Sequence, residues 1–508
     1  MTKVTKVPKP ILTKQDIHFR LRTCAEYGQA SFAGIASLSL AMVLLINSFK
    51  GGELAVNSAV FAAFAAYFVF ALLQLGTMAL IRRDLLQHGG LRRSTRRLGY
   101  VLLISLLTAN IFVVTAAFQL IKSKKSAAYT LSVYALLTTV FVFAISALNV
   151  FKPYVSDLFV PGMALLLIAG AIQFIALLLI ARYADNQLLP KWMWIAAVLL
   201  LASSVTGNLF ALALGILLIA RLRNRDVSSG TKLNEVIDRL SRSSTSMLGL
   251  WFIGFLLAIS LCSYLTFDYG MAIDNNYGAI LQSPSLTYPL GTDNFGRCLF
   301  SRIVFGARIS LFVGILSTLI PVIIGGSLGA VSGYYGRSTD NLIMRALDIL
   351  YAIPGILLAI AIIAAFGANT VNLILALSIG AIPTYARTMR ANVMLVSTLE
   401  YVQAARAFGA GDLIILLRHI VPNSIAPMIV KSTLTVGGAI ISTSSLSYLG
   451  LGVEPHIPEW GNILKVGSAY LETNAYTAIY PGLAIIALVL SFNFLGDGLR
   501  DALDPKLD

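Results

Sequence analysis

The sequence predicts an all-α, polytopic membrane protein with roughly 12 transmembrane helices, counted as apolar runs of bilayer length. Three observations predict it. Only 12% of the 508 residues are charged, half the ~25% of soluble domains. The hydrophobic share is 57% and the mean hydropathy +0.81. The apolar residues gather into runs of about 20, enough to cross a hydrocarbon core as a helix.

In chain order the expected spans are 29–49, 55–81, 98–121, 127–150, 158–181, 193–220, 247–267, 309–333, 345–366, 370–386, 424–447 and 477–496. The shortest is 370–386. The first 28 residues carry Lys3, Lys6, Lys9, Lys14, Arg20 and Arg22. They lack an apolar stretch ending at a small-residue cleavage site, so a cleaved signal peptide is not expected.

The net charge is +15. In a membrane chain such an excess sits in cytoplasmic loops beside anionic headgroups, which makes membrane lipids a partner. The basic residues are dispersed among apolar runs and form no compact basic domain, which argues against nucleic acid. The loop RRDLLQHGGLRRSTRR (82–97) is Arg-rich, and so is RLRNRDVSSGTKLNEVIDRLSRSSTS (221–246). Alternation through the expected spans puts both on the side of the N-terminus, which is then the cytoplasm, with 387–423 and the C-terminus. It puts 268–308 and 448–476 outside. The basic KSKK (122–125) also falls outside, against the trend.

The 221–246 loop also marks a domain boundary. The expected organisation is a cytoplasmic segment 1–28, an accessory transmembrane domain 29–220, a basic linker 221–246 and a second membrane domain 247–508. Each membrane domain has about six spans. The two show no sequence repeat of one another.

Chemistry is sparse. Cys24, Cys262 and Cys298 are far apart and have no CxxC spacing, so neither a disulfide framework nor a metal site is expected. The four histidines, His18, His88, His419 and His456, are scattered. That argues against a membrane enzyme, and no catalytic residue and no cofactor are expected. No Asp, Glu or His lies near a span centre. Ion-driven carriers need such groups, so a secondary carrier is the weaker reading. Lys431 lies near enough to a span end to snorkel. No GxxxxGK[ST] occurs, so an ATP-driven process would need another polypeptide.

One polar segment stands out, EYVQAARAFGAGDLIILLRHIVPN (400–423). Glu400, Ala404 and Ala405 fall in register on a helix. Gly409 allows a left-handed stop, Asp412 can cap the next helix, and Pro422 ends it. Spacing alone supports either a docking element or an ordinary cytoplasmic loop.

The segment QAARAFGAGDLIILLRHIVPN resembles the EAA loop of ABC importer permeases, in particular the C-type permease of dipeptide, oligopeptide and nickel importers. LGTDNFGRCLFSRIVFGARISL (290–311), RALDILYAIPGILLAI (345–360), SYLGLGVEPHIPEWGNIL (447–464) and NFLGDGLRDALDPKLD (493–508) resemble further family stretches, in the family's order. The resemblance covers about residues 240–508 and leaves 1–220 outside the pattern. Gln403 stands where the family has Glu, and Cys298 where it commonly has Asp. The resemblance implies a short-peptide importer permease in the cell membrane, with nickel or another small solute as the alternative cargo. It implies four partner chains of three kinds: a homologous second permease subunit, two ATP-binding subunits and an extracytoplasmic substrate-binding protein. It implies a coupling helix for the ATPase at Ala404, Ala405, Gly409, Ala410 and Asp412, flanked by Arg406 and His419. For Arg406 and His419, solvation or headgroup contact remains the alternative. Pro354 would kink a span beside the pathway or serve packing alone. Glu459 and Trp460 would lie where the binding protein docks, or Trp460 would anchor the interface belt.

Overall fold

The computed structural model describes residues 20–21, 24–48, 58–122, 126–183, 189–223, 236–237, 239–241, 243–454 and 456–503. Most of the basic segment 1–28 and of the linker 221–246, and Lys124 and Lys125, lie outside them. The described residues are overwhelmingly helical, as expected. Seven of the described helices are long and apolar enough to cross a membrane, or nine if each of two bent pairs is one span.

The first helices are α1 (Ala25–Ser48), α2 (Ser58–His88), α3 (Arg93–Leu102), α4 (Ile111–Ile121), α5 (Ala127–Ala147) and α6 (Phe159–Tyr183). Next come α7 (Met193–Ser203), α8 (Leu209–Arg223) and α9 (Ser244–Thr266).

Two expected spans, 98–121 and 193–220, do not cross as single helices. Both fold back on themselves. Arg96 Nη1 donates to the Leu120 carbonyl at 3.2 Å, and Gly99 lies against Ile121 and Ala117. A continuous helix would hold residues 96 and 120 about 36 Å apart at 1.5 Å per residue. The chain reverses at Ala109, a left-handed residue with φ 53°. Likewise Gly215 lies against Leu201 and Ala197, with Gly207 left-handed at the corner. Each arm is shorter than the ~20 residues needed to span, so each hairpin leaves by the side it entered. Hydropathy could not see this, because both arms are as apolar as a span.

The correction changes the sidedness count. Lys122 now lies at the same hairpin end as Arg96. In the other hairpin's unit, Lys152 Nζ donates to Ser301 Oγ at 2.7 Å. Residues 152 and 301 therefore share a membrane side. Two crossings, α6 and α9, with a returning hairpin between them, satisfy that contact. Three crossings would not.

The chain forms two compact units, Met1–Val133 with Arg242–Ser244, and Tyr134–Ser241 with Thr245–Asp508. Compactness thus divides the chain elsewhere than composition does. The physical reason is that α5, α6 and the 193–223 hairpin pack on α9. Asn149 Nδ2 donates to the Thr266 carbonyl at 2.8 Å, and Phe141 meets Trp251 edge-on at 5.1 Å.

The remaining helices are α10 (Leu299–Tyr335), α11 (Arg337–Tyr351), α12 (Gly355–Phe366), α13 (Thr370–Ser397), α14 (Glu400–Ala407), α15 (Ala426–Leu449), α16 (Trp460–Ser468) and α17 (Tyr476–Leu503). The main contact is between α10 and α13. Gly325, Gly329 and Gly333 recur once per turn of α10 and face the backbone of Ile382, Ala386 and Arg390. Small residues at this spacing let two helices approach closely in a lipid environment, where apolar burial gives no driving force. Ion pairs fix α11 to the same helix. Arg390 forks onto Asp340 through Nε at 2.6 Å and Nη2 at 2.5 Å. Arg387 pairs with Asp348 at 2.5 Å and lies 4.0 Å over the Tyr351 ring.

The expected span 345–366 is broken, with α11 and α12 meeting at 79°. Pro354 therefore kinks no continuous helix; it is the N-cap of α12, in an extended conformation. Lys431 does not snorkel to a helix end. Its Nζ donates to the Thr384 carbonyl at 2.6 Å and to Thr388 Oγ1 at 2.6 Å, joining α15 to α13.

Candidate functional site

The segment 400–423 is a helix, a tight turn and a second helical stretch, attached to the membrane helices by one buried strip. Leu399 is extended before α14, Glu400 occupies its first turn and Arg406 its last. This charge order complements the helix dipole. Val402 is buried against Val393, Val396, Ile415, Leu416 and Ile420, and Ala405 and Ala410 pack on the edge of the same cluster. The opposite face, with Gln403, Ala404 and Ala407, is exposed. Phe408 is 91% exposed at its tip.

Gly409 has φ +82° with open space around it. The Ala410 N–H donates to the Ala405 carbonyl and the Gly409 N–H to the Arg406 carbonyl, the paired pattern of a Schellman stop. The left-handed stop expected at Gly409 is present.

Two local expectations are corrected. Asp412 does not cap the next helix: Gly411 occupies the N-cap position, with no side-chain cap. The Asp412 carboxylate instead accepts from the Tyr334 hydroxyl at 2.6 Å. Arg406 Nη2 donates to the same hydroxyl at 3.4 Å. Tyr334, in the last turn of α10, thus holds the turn from outside the segment. Spacing within 400–423 gave no signal for it. Nor does Pro422 end a helix. A π-helical turn, Ile415–Ile420, precedes it, and Pro422 sits in the first turn of Val421–Ser424, where its missing N–H is not needed. The chain then bends by 54° into α15. The His419 carbonyl accepts from Tyr401 at 3.2 Å and from Asn423 at 2.7 Å, so backbone rather than imidazole joins the two halves.

Glu459 and Trp460 are corrected more strongly, because both are fully buried. Glu459 is the N-cap of α16 and accepts from the Asn462 N–H at 3.0 Å. Burial holds its carboxyl above the ordinary range, opposed by the hydrogen bond from the Asn462 N–H. Trp460 Nε1 donates to the Ile303 carbonyl at 2.9 Å, and its ring fills the space beside Gly306. Neither side chain is presented to a partner or to lipid. Glu454 and His456 form the exposed part of that loop. Cys298, which the expected topology puts in the outer loop, is buried there.

Gly355 and Ile356, which follow Pro354 in α12, line a cavity of about 350 Å³ together with Ser317, Leu377, Gly380 and Thr384. The lining is mainly apolar, with hydroxyls from Ser317, Thr384, Thr435 and Ser442, and no side chain in it carries a charge.

Residues 325–508 match the family described as the binding-protein-dependent transport system inner membrane component. A glutathione transport system permease protein of Pectobacterium atrosepticum is 42% identical over 283 residues, which are 56% of this chain and 94% of that protein. The chain belongs to this family. A dipeptide transport system permease protein of Alkalihalophilus pseudofirmus is 41% identical over 273 residues, 54% of this chain and 90% of that protein. The inward-facing MetNI methionine ABC transporter aligns with a TM-score of 0.35 at 20% identity, over 40% of this chain and 97% of that one. The protein is thus an ABC importer permease subunit, a transport component of the cell membrane. Little more than half of the chain is shared with these relatives.

Proposed function

We propose that the protein moves short peptides inward as one permease of an ABC importer. ATP is hydrolysed on two separate subunits, a homologous second permease completes the pathway, and an extracytoplasmic protein delivers the peptide. The observation that carries the peptide reading is the 42% and 41% identity to permeases named for glutathione and for dipeptides, across at least 90% of their length. Nickel as cargo has no such support.

Glu400–Pro422 is the ATPase coupling element. Its inner strip is anchored by Val402, and its outer face offers Gln403, Ala404 and the projecting Phe408. A large apolar side chain held 91% exposed beside a glycine turn suits a knob entering a partner's cleft. Arg406 and Asp412 act within the turn through Tyr334. The cavity that begins at Gly355 is part of the pathway, its uncharged lining offering the hydroxyls of Ser317, Thr384, Thr435 and Ser442 to a peptide backbone. The basic ends of both hairpins, the segment 400–423 and both termini lie in the cytoplasm, while Lys152 and Ser301 lie outside. Residues up to 220 form an accessory domain, and the ATP chemistry lies on other chains.

The test is uptake into proteoliposomes holding the full complex. Labelled glutathione or dipeptide should accumulate with ATP and compete with unlabelled peptide. Accumulation of nickel without peptide competition would refute the cargo.

A further inference from the structure

Residues 25–223 contain one structural unit twice. AEYGQASFAGIASLSLAMVLLINSFK (25–50) aligns without a gap on AAYTLSVYALLTTVFVFAISALNVFK (127–152), sharing their first A-x-Y and closing N-x-F-K. The hairpin corner SLLTANIF (105–112) aligns on SSVTGNLF (203–210). Between them, buried Gln74 and Ile81 correspond to buried Gln173 and Ile180.

The geometry repeats with the letters. Asn110 Nδ2 donates to Ser37 Oγ at 2.7 Å, and its Oδ1 accepts from the Val113 N–H. Asn208 Nδ2 donates to Thr139 Oγ1 at 3.0 Å, and its Oδ1 accepts from the Ala211 N–H. Ser37 and Thr139 are counterparts in the alignment. Phe112 meets Phe32 at 6.0 Å, and Phe210 meets the corresponding Tyr134 at 5.6 Å. Each copy is two crossings followed by a returning hairpin.

The second copy holds α9, the first helix of the transport core. Cys262 Sγ donates to the Thr206 carbonyl at 3.2 Å. Phe210 lies on Gly254, and Gly207 lies against Ala258 and Leu261. Phe141 packs on Trp251. Four positions therefore make the groove: Phe141, Thr206, Gly207 and Phe210. Their counterparts in the first copy are Ser39, Thr108, Ala109 and Phe112. Thr and Phe are kept at two of the four, and a small residue at the corner. Ser39 is smaller than Phe141, which leaves that end of the first groove wider, while Ala109 adds a methyl at the corner where Gly207 lies directly against Ala258 and Leu261. Thr206 and Phe210 are buried at 3% each, whereas Thr108 and Phe112 are only half-buried and Ser39 and Ala109 are exposed. The corner Asn hydrogen bonding is alike in both copies, and within its own compact unit no α9-like helix covers the first groove among the described residues.

We propose that this groove of the first copy receives the first transmembrane helix of the second, homologous permease subunit. The occupant of the second groove is itself the first helix of a permease core, with small residues where the hairpin corner crosses it. A homologous subunit supplies a helix of that kind. A second copy of this chain does not, because its own α9 already lies in its own second groove. The inference rests on the permease reading above.

The experiment uses the full complex in native membranes. Ala109→Cys or Ser39→Cys is paired with single cysteines along the first helix of the second permease and oxidised with copper phenanthroline. The chain with only its native cysteines serves as background. The expected result is a heterodimer band from Ala109→Cys, periodic along the partner helix. A homodimer band instead, or no band at any position while the two permeases still co-purify, would overturn it and leave a second copy or lipid as the occupant. If wild-type chain fails to co-purify with the second permease at all, the underlying permease reading fails first. A second variant, Ala109→Trp, fills the groove. It should cut co-purification of the second permease at least several-fold with the chain's membrane level unchanged, and undiminished co-purification counts against the proposal.

Discussion

The Tyr334 hydroxyl donates to the Asp412 carboxylate at 2.6 Å. This bond ties the last turn of α10 to the turn that presents Phe408; under the coupling role proposed above, motion of the membrane helix would reach that turn through a side chain as well as through the backbone.

Tyr334→Phe should lower peptide uptake several-fold while ATP hydrolysis falls less. A hydrogen bond to a charged group contributes about 1.5–3 kcal/mol when shielded, but this pair is solvent-facing, so overall stability should barely change. The ratio of peptide moved to ATP hydrolysed is the readout. An unchanged ratio would remove Tyr334 from the coupling path.

Gly409→Val should reach the membrane in normal amount and lose ATPase-subunit co-purification and uptake. A β-branched residue at φ +82° costs upward of about 1 kcal/mol, and it reshapes the Schellman stop beneath Phe408. Normal uptake in this variant would sink the coupling role of the turn.

This turn was legible in the sequence because glycine after a short helix has few other uses. The docking role expected of Trp460 was not, because a loop tryptophan reads alike whether it faces a partner or fills a hole beside Gly306. Pro422 misled for a related reason: the π turn that accommodates it leaves no mark in the local pattern. The two hairpins escaped because hydropathy counts apolar residues and not direction. Asn110 and Asn208, each just after a left-handed residue, carried the missing signal, and it becomes visible only when the two copies are aligned.

Glu459 predicts a pH dependence. Burial holds its native pKa above the unfolded carboxyl value of about 4.3, so the native state binds the proton more tightly. Its contribution to stability is full below the unfolded pKa and is lost as pH rises through the raised native one. Glu459→Gln should flatten that decline and equal or exceed wild type at neutral pH in detergent thermal unfolding. A Gln variant that keeps the slope would assign it to another group. Trp460→Ala, by contrast, should destabilise by about 3–5 kcal/mol through the cavity it leaves.

Sidedness can be read with an impermeant thiol reagent on intact cells. Leu286→Cys, 71% exposed in the stretch before Ser301, should label. Arg97→Cys and Ala404→Cys should not label until the cells are opened, and buried Cys298 should stay unlabelled throughout. Labelling at Arg97→Cys from outside would invert the topology.

If this chain carries peptide under power received at Phe408, changing that side chain should stop uptake without separating the permeases. The most direct measurement is ATP-dependent uptake of labelled dipeptide by proteoliposomes holding the full complex, with wild-type chain and with Phe408→Asp. Wild type should show robust uptake and Phe408→Asp near-complete loss, with the complex's two permeases still associated. Wild-type rates in the Phe408→Asp vesicles, or no ATP-dependent peptide uptake by wild type, would contradict it.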